Sequence, residues 1–202
     1  HGRTTTIISF SSDNTARKYF GPYTPGFEVV KYNDPDALAQ AITDPNVAGV
    51  LIEPIQGEAG VFVPDEGYLK KVAALCKKNN VLFIDDEIQT GVGRTGKMLA
   101  ADHEDVKPDI LILGKALSGG VYPVSAVLAN DEIMEVITPG THGSTYGGNP
   151  LGTKVTMTAL QVMKDEKLTE NAATLGEIFR ERMNMFVQKS DLVTLVRGKG
   201  LL

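Results

Sequence analysis

Val81-Leu82-Phe83-Ile84-Asp85-Asp86-Glu87-Ile88-Gln89 and Ile110-Leu111-Ile112-Leu113-Gly114-Lys115 are the two stretches on which the fold turns. Each opens with four apolar residues and then changes abruptly to glycine or charge. Runs this short and this apolar read as strands buried on both faces, as in a parallel sheet covered by helices. Upstream, Val47 to Ile52 reads as another strand. Helical spacing from about Glu66 to Lys78, with Asn79-Asn80 as the stop, links it to Val81–Ile84 as a βαβ unit. Asp34-Pro35 offers an N-cap and a first-turn proline to a helix carrying Leu38, Ala41 and Ile42. A strand over Val124 to Leu128 and two long helices, about Pro150 to Lys164 and Leu168 to Val187, follow. The pattern predicts an α/β protein with a mainly parallel sheet flanked by helices on both faces. Phe20-Gly21-Pro22-Tyr23-Thr24-Pro25-Gly26, with two prolines and two glycines, is excluded from helix and central strand and reads as a surface crossing.

Both strands deliver chemistry at their carboxyl ends: a carboxylate from the first, Asp86, and an amine from the second, Lys115. Pyridoxal phosphate (PLP) chemistry uses this pair, the amine bonding the cofactor covalently and the carboxylate pairing with the protonated pyridine nitrogen. Alone, a lysine after a strand is an ordinary solvated charge and an aspartate there an ordinary turn residue. Their surroundings carry the assignment.

Four blocks supply those surroundings: Glu53-Pro54-Ile55-Gln56-Gly57-Glu58-Ala59-Gly60, Asp86-Glu87-Ile88-Gln89-Thr90-Gly91, Leu113-Gly114-Lys115-Ala116-Leu117-Ser118-Gly119-Gly120 and His142-Gly143-Ser144-Thr145-Tyr146-Gly147-Gly148-Asn149-Pro150. In content, order and spacing they resemble the class III (ornithine-type) aminotransferases, and the likeness runs from His1-Gly2-Arg3 to Arg197-Gly198-Lys199-Gly200-Leu201-Leu202. The resemblance implies the large domain of the aspartate-aminotransferase-like fold, fold type I, and transfer of the δ-amino group of ornithine to 2-oxoglutarate through PLP. Acetylornithine and 4-aminobutyrate aminotransferases share similar blocks and remain alternatives, because fold does not settle substrate.

By the same resemblance Lys115 holds the cofactor and then shuttles a proton, a role for which a partly buried, cation-rich setting is expected. Asp86 keeps the ring nitrogen protonated and Gln89 meets the phenolic oxygen. Ser144 and Thr145, in a Gly-rich turn before a helix, suit a phosphate and are expected to serve the partner subunit of a homodimer. Glu58 matches a glutamate that alternates with an arginine of the C-terminal domain, and Arg3 an arginine that binds a substrate carboxylate. Residues 1–202 are expected to form most of the large cofactor-binding domain, with the small C-terminal domain beginning near 190–202. A non-catalytic fragment is the alternative from another class, distinguished by absence of cofactor absorbance.

Composition bounds the rest. The chain has 202 residues, 42% apolar, with a net charge of −5 and no basic run, which disfavours a phosphate backbone as partner. No stretch reaches the roughly eighteen apolar residues of a spanning helix, and the amino terminus lacks a signal pattern. The single cysteine, Cys76, sits at helical spacing with Tyr68, Leu69, Val72 and Leu75 as a core residue, and fits a reducing compartment, the cytoplasm or the mitochondrial matrix, with the cytoplasm preferred. Two rival patterns are weak. Gly91-Val92-Gly93-Arg94-Thr95-Gly96 satisfies the dinucleotide fingerprint but neither follows a strand directly nor opens a helix. Glu53, Glu58, Asp85, Asp86 and Glu87 with His103 or His142 lack ligand spacing, and consecutive acids on a strand face opposite ways, so no metal site is expected.

Overall fold

The computed structural model describes residues 1–202. Its sheet has four strands in the order β1 (Gly49–Ile52), β2 (Leu82–Asp86), β3 (Ile110–Leu113), β4 (Ala126–Ala129). The first three run parallel and β4 pairs antiparallel to β3. β2 continues two residues beyond the apolar run, through Asp85 and Asp86, because its backbone pairing with β3 persists there.

Seven α-helices accompany the sheet: α1 (Thr5–Ile8), α2 (Asn14–Arg17), α3 (Pro35–Ala41), α4 (Tyr68–Asn79), α5 (Asp131–Met134), α6 (Pro150–Asp165) and α7 (Leu168–Val187). α3 starts as its sequence predicts, with Asp34 accepting a hydrogen bond from Ala37 N–H and Pro35 in the first turn. α4 ends where Asn80 takes the left-handed conformation, and the chain enters β2 two residues later. Tyr68, Leu69, Val72 and Cys76 of α4 meet Phe83 of β2, Ile52 of β1 and Leu38 and Ile42 in one core. Full burial of each such aliphatic or aromatic side chain contributes about 1.5–3 kcal/mol. Cys76 belongs to this core, and burial pushes its thiol up to about 11, which leaves it unreactive. The Phe20–Gly26 segment forms neither helix nor strand.

The Gly91–Gly96 run has a packing role. It forms turns and opens no helix. A side-chain carbon on Gly96 would lie 2.9 Å from Ala173 of α7, and one on Gly200 would strike the backbone of Thr95 and Gly96. These glycines let the 198–202 segment and α7 close on the turn, where Leu201 N–H donates to Arg94 O at 3.0 Å.

Candidate active site at the ends of β2 and β3

Asp86 is in register with Ile112 on the neighbouring parallel strand, so Asp86 and Lys115 leave the sheet at one rim. Their settings differ. Asp86 is nearly buried, its Oδ1 accepting the Ile88 N–H at 3.1 Å and its Oδ2 meeting His1 Nδ1 at 2.7 Å. A carboxylate only accepts, so Nδ1 is the protonated nitrogen of the His1 ring. His1 is thus a partner of Asp86 that the sequence did not single out, although its neighbour Arg3 was.

Lys115 opens a 3-10 turn, Lys115–Ser118, directly after β3. Its φ is +43°, a left-handed conformation that a side chain adopts only under constraint, and such constraints cluster at functional sites. Ser118 supplies part of the constraint by donating to Lys115 O at 2.8 Å and accepting the Gly120 N–H. The expected buried, cation-rich setting is not what surrounds Lys115. Its side chain is 55% exposed, and the charged group nearest to it is an acid, with Glu58 Oε1 4.0 Å from Nζ. The strand end lifts the side chain out of the sheet, and an ion pair this open contributes little energy. It fixes position.

Glu58 also accepts from Gln89 Nε2 at 2.6 Å. Gly57 makes the approach possible, since a side-chain carbon there would collide with the Gln89 amide. Behind the loop, Glu53 Oε2 accepts the Gly57 N–H at 3.1 Å. Burial raises the Glu53 carboxyl and the Gly57 N–H opposes that shift. Asp86, Gln89, Glu58 and Lys115 therefore stand together.

The remaining expected residues stand apart from this rim. Ser144 accepts the Gly147 N–H within its own exposed turn, and Thr145 is exposed. Arg3 is exposed at the start of α1, without an ion pair to any group of the rim. The acids weighed as metal ligands are dispersed: Asp85 and Glu87 turn into the protein on the side away from Asp86, and no three His, Cys, Asp or Glu side chains are grouped to hold an ion. Glu87 accepts the Ala101 N–H at 2.9 Å and the Thr90 hydroxyl proton, which ties the turn after β2 to the 3-10 segment Ala101–His103.

A buried carboxylate, an amine after the adjacent strand and the nearby Gln89 amide match the donor set a pyridine aldehyde needs: a partner for the ring N–H, a nucleophile for the carbonyl carbon and a donor for the phenolic oxygen. The side chains present fit PLP.

Known proteins resemble this chain closely along its whole length. The mitochondrial ornithine aminotransferase of Drosophila ananassae is 59% identical over 201 residues, covering all of this chain and 46% of that protein. The crystal structure of the ornithine aminotransferase from Toxoplasma gondii superposes with a TM-score of 0.98 at 53% identity, over 100% of this chain and 48% of that one. An acetylornithine aminotransferase from Elizabethkingia anophelis is 62% identical with a TM-score of 0.86, over 89% of this chain and 47% of that one. The chain spans about half the length of the curated relatives it matches. The family model for aminotransferase class III matches residues 1–202 from end to end, and with the α/β sheet and the amine and carboxylate at its rim it makes this chain a member of the class III aminotransferases.

Proposed function

We propose that the whole protein is a PLP-dependent ornithine aminotransferase, passing the δ-amino group of ornithine to 2-oxoglutarate and yielding glutamate 5-semialdehyde and glutamate. The observation that carries this is the placement of Asp86 and Lys115 on adjacent parallel strand ends in a class III chain. Bound PLP supplies an electron-accepting ring and a carbonyl carbon. Asp86, immobilised by Ile88 N–H and His1, keeps a proton on the ring nitrogen. Lys115 Nζ would hold the cofactor, and as a free amine it would move a proton at the carbon that bears the substrate amine. Gln89 donates its amide to the phenolic oxygen. Glu58, exposed beside Lys115, would pair with the arginine of the C-terminal domain in the ornithine half-reaction and release it to the carboxylate of 2-oxoglutarate in the second. Arg3 suits the carboxylate of ornithine.

The name of the Elizabethkingia relative favours acetylornithine as a second donor. Comparing kcat/KM for ornithine, acetylornithine and 4-aminobutyrate on the full-length protein, with glutamate semialdehyde trapped as product, decides between them. Ornithine leading by at least about tenfold is expected, since the acetyl group adds bulk and removes a charge at the α-amine. Asp86→Ala is expected to lower turnover roughly 10²-fold while the protein still folds, the order seen when one fixed electrostatic partner is removed. Near wild-type rates would end the ring-nitrogen role.

The reading extends to assembly. Val121, Val127, Leu128 and Tyr146 are exposed apolar side chains, and they support a homodimer in which Ser144 and Thr145 face the partner's phosphate site. Residues 1–202 would be the greater part of the large domain, with the small domain opening near 190–202. No helix is long and apolar enough to cross a membrane. The animal relatives are named as mitochondrial, which favours the matrix over the cytoplasm.

A further inference from the structure

The loop that carries Glu58 is strained, and a residue remote in sequence grips its far end. Gln56 and Phe62 pair as an antiparallel bridge, with Gln56 N–H to Phe62 O at 3.1 Å and Phe62 N–H to Gln56 O at 2.9 Å, and the Gly60 and Val61 N–H groups both donate to Gly57 O at 3.0 Å. Inside this closed loop Gly60 has φ +120° and Val61 has φ +57°. Positive φ on a β-branched residue is a genuine outlier, and it persists only where the surroundings impose it.

Arg197 grips the strained end of the loop. Its Nε and Nη2 both donate to Gly60 O, at 3.1 and 2.8 Å, and its guanidinium lies 3.9 Å over the Phe62 ring. A lysine could not reproduce two parallel donors and a stacked plane together. Arg197 can act as a fixed point because the segment behind it is braced: Leu201 N–H reaches Arg94 O and Arg180 Nη1 donates to Gly200 O at 3.0 Å. The chain of contact thus runs from the Gly91–Gly96 turn and α7 through Arg197 and Gly60 to Glu58, and from Glu58 to Gln89 and Lys115.

We infer that Arg197 is a positioning residue for the substrate-discriminating carboxylate, clamping the Gly57–Phe62 loop so that Glu58 stays on Gln89 and beside Lys115. This deepens the proposed function and rests on it for the role of Glu58, whereas the clamp itself rests on contacts that need no ligand.

Two measurements on the full-length protein test it. In the cofactor-free form, amide hydrogen exchange of Val61 and Phe62 is expected to speed about tenfold in Arg197→Ala, the loss of one charge-assisted hydrogen-bonding group. Arg197→Lys should fall between the two and, if Arg197→Ala fails to fold, serves in its place. In the holoenzyme, Arg197→Ala should raise KM for ornithine about tenfold with kcat little changed, should be partly rescued by free guanidinium at sub-denaturing concentration, and should add nothing in a Glu58→Ala background. Unchanged exchange in the loop, or an effect of equal size with and without Glu58, would overturn the inference. A wild-type enzyme that ignores ornithine would instead defeat the substrate assignment and leave the exchange result to decide the clamp.

Discussion

Lys115→Ala in the full-length holoenzyme is expected to lower ornithine turnover by roughly 10⁴-fold or more, the upper end of what one positioned base contributes, because the same amine also anchors the cofactor. The protein should still fold, since Lys115 is half exposed and its one charged neighbour, Glu58, is itself open to solvent. PLP should still bind non-covalently through Asp86 and Gln89. Borohydride reduction of the wild-type holoenzyme followed by peptide mapping should place the pyridoxyl label on Lys115. A label on Lys97 or Lys107 would sink the assignment.

The other large effect is expected away from the rim, in stability. Asp85 is wholly buried and, as a carboxylate, neither of its oxygens has a donor within reach. Burial, and then the neighbouring charges of Glu87 and Asp86, push its carboxyl up from 3.8 to about 8. Glu87 is shifted in the same direction, chiefly by burial, with the Thr90 hydroxyl and the Ala101 N–H pulling the other way. Protonated Asp85 becomes a donor to Glu87 and relieves the repulsion between them.

The sign follows from linkage. The folded protein keeps a proton that the unfolded chain gives up above pH 4, so stability falls as pH rises from about 4 to about 8, by about 1.4 kcal/mol per unit at most. Over that window the loss amounts to several kcal/mol. Asp85→Asn does not titrate and its amide can still donate to Glu87. The variant should match wild type in urea unfolding near pH 4 and exceed it by several kcal/mol at pH 8. Parallel pH profiles for the two proteins would show that Asp85 is ionised in the fold.

Much of the site was legible because its chemistry is local to the chain. The strand run 110–113 and helix α7 lie where their hydrophobic pattern puts them, since burial on two faces or along one stripe must be written into successive residues. Asp86 and Lys115 could be named because a strand end fixes where the next side chain emerges, and Gln89 and Glu58 because the blocks around them are distinctive.

What lay beyond the sequence involves distance along the chain. His1 meets Asp86 across 85 positions and Arg197 meets Gly60 across 137. No periodicity records such a pair. The open setting of Lys115 depends on what stands over a strand end, and the burial of Asp85 on which face of β2 meets α4, so neither follows from residue type. Local pattern sufficed for the central strands, the long helices and the candidate groups at the strand ends, because backbone pattern and side-chain chemistry are properties of neighbours, whereas the short helices α1, α2 and α5 carry too few residues to show a period. Which charges are buried, which loop is strained and what holds it emerge only on folding, because they depend on surfaces brought together from remote parts of the chain.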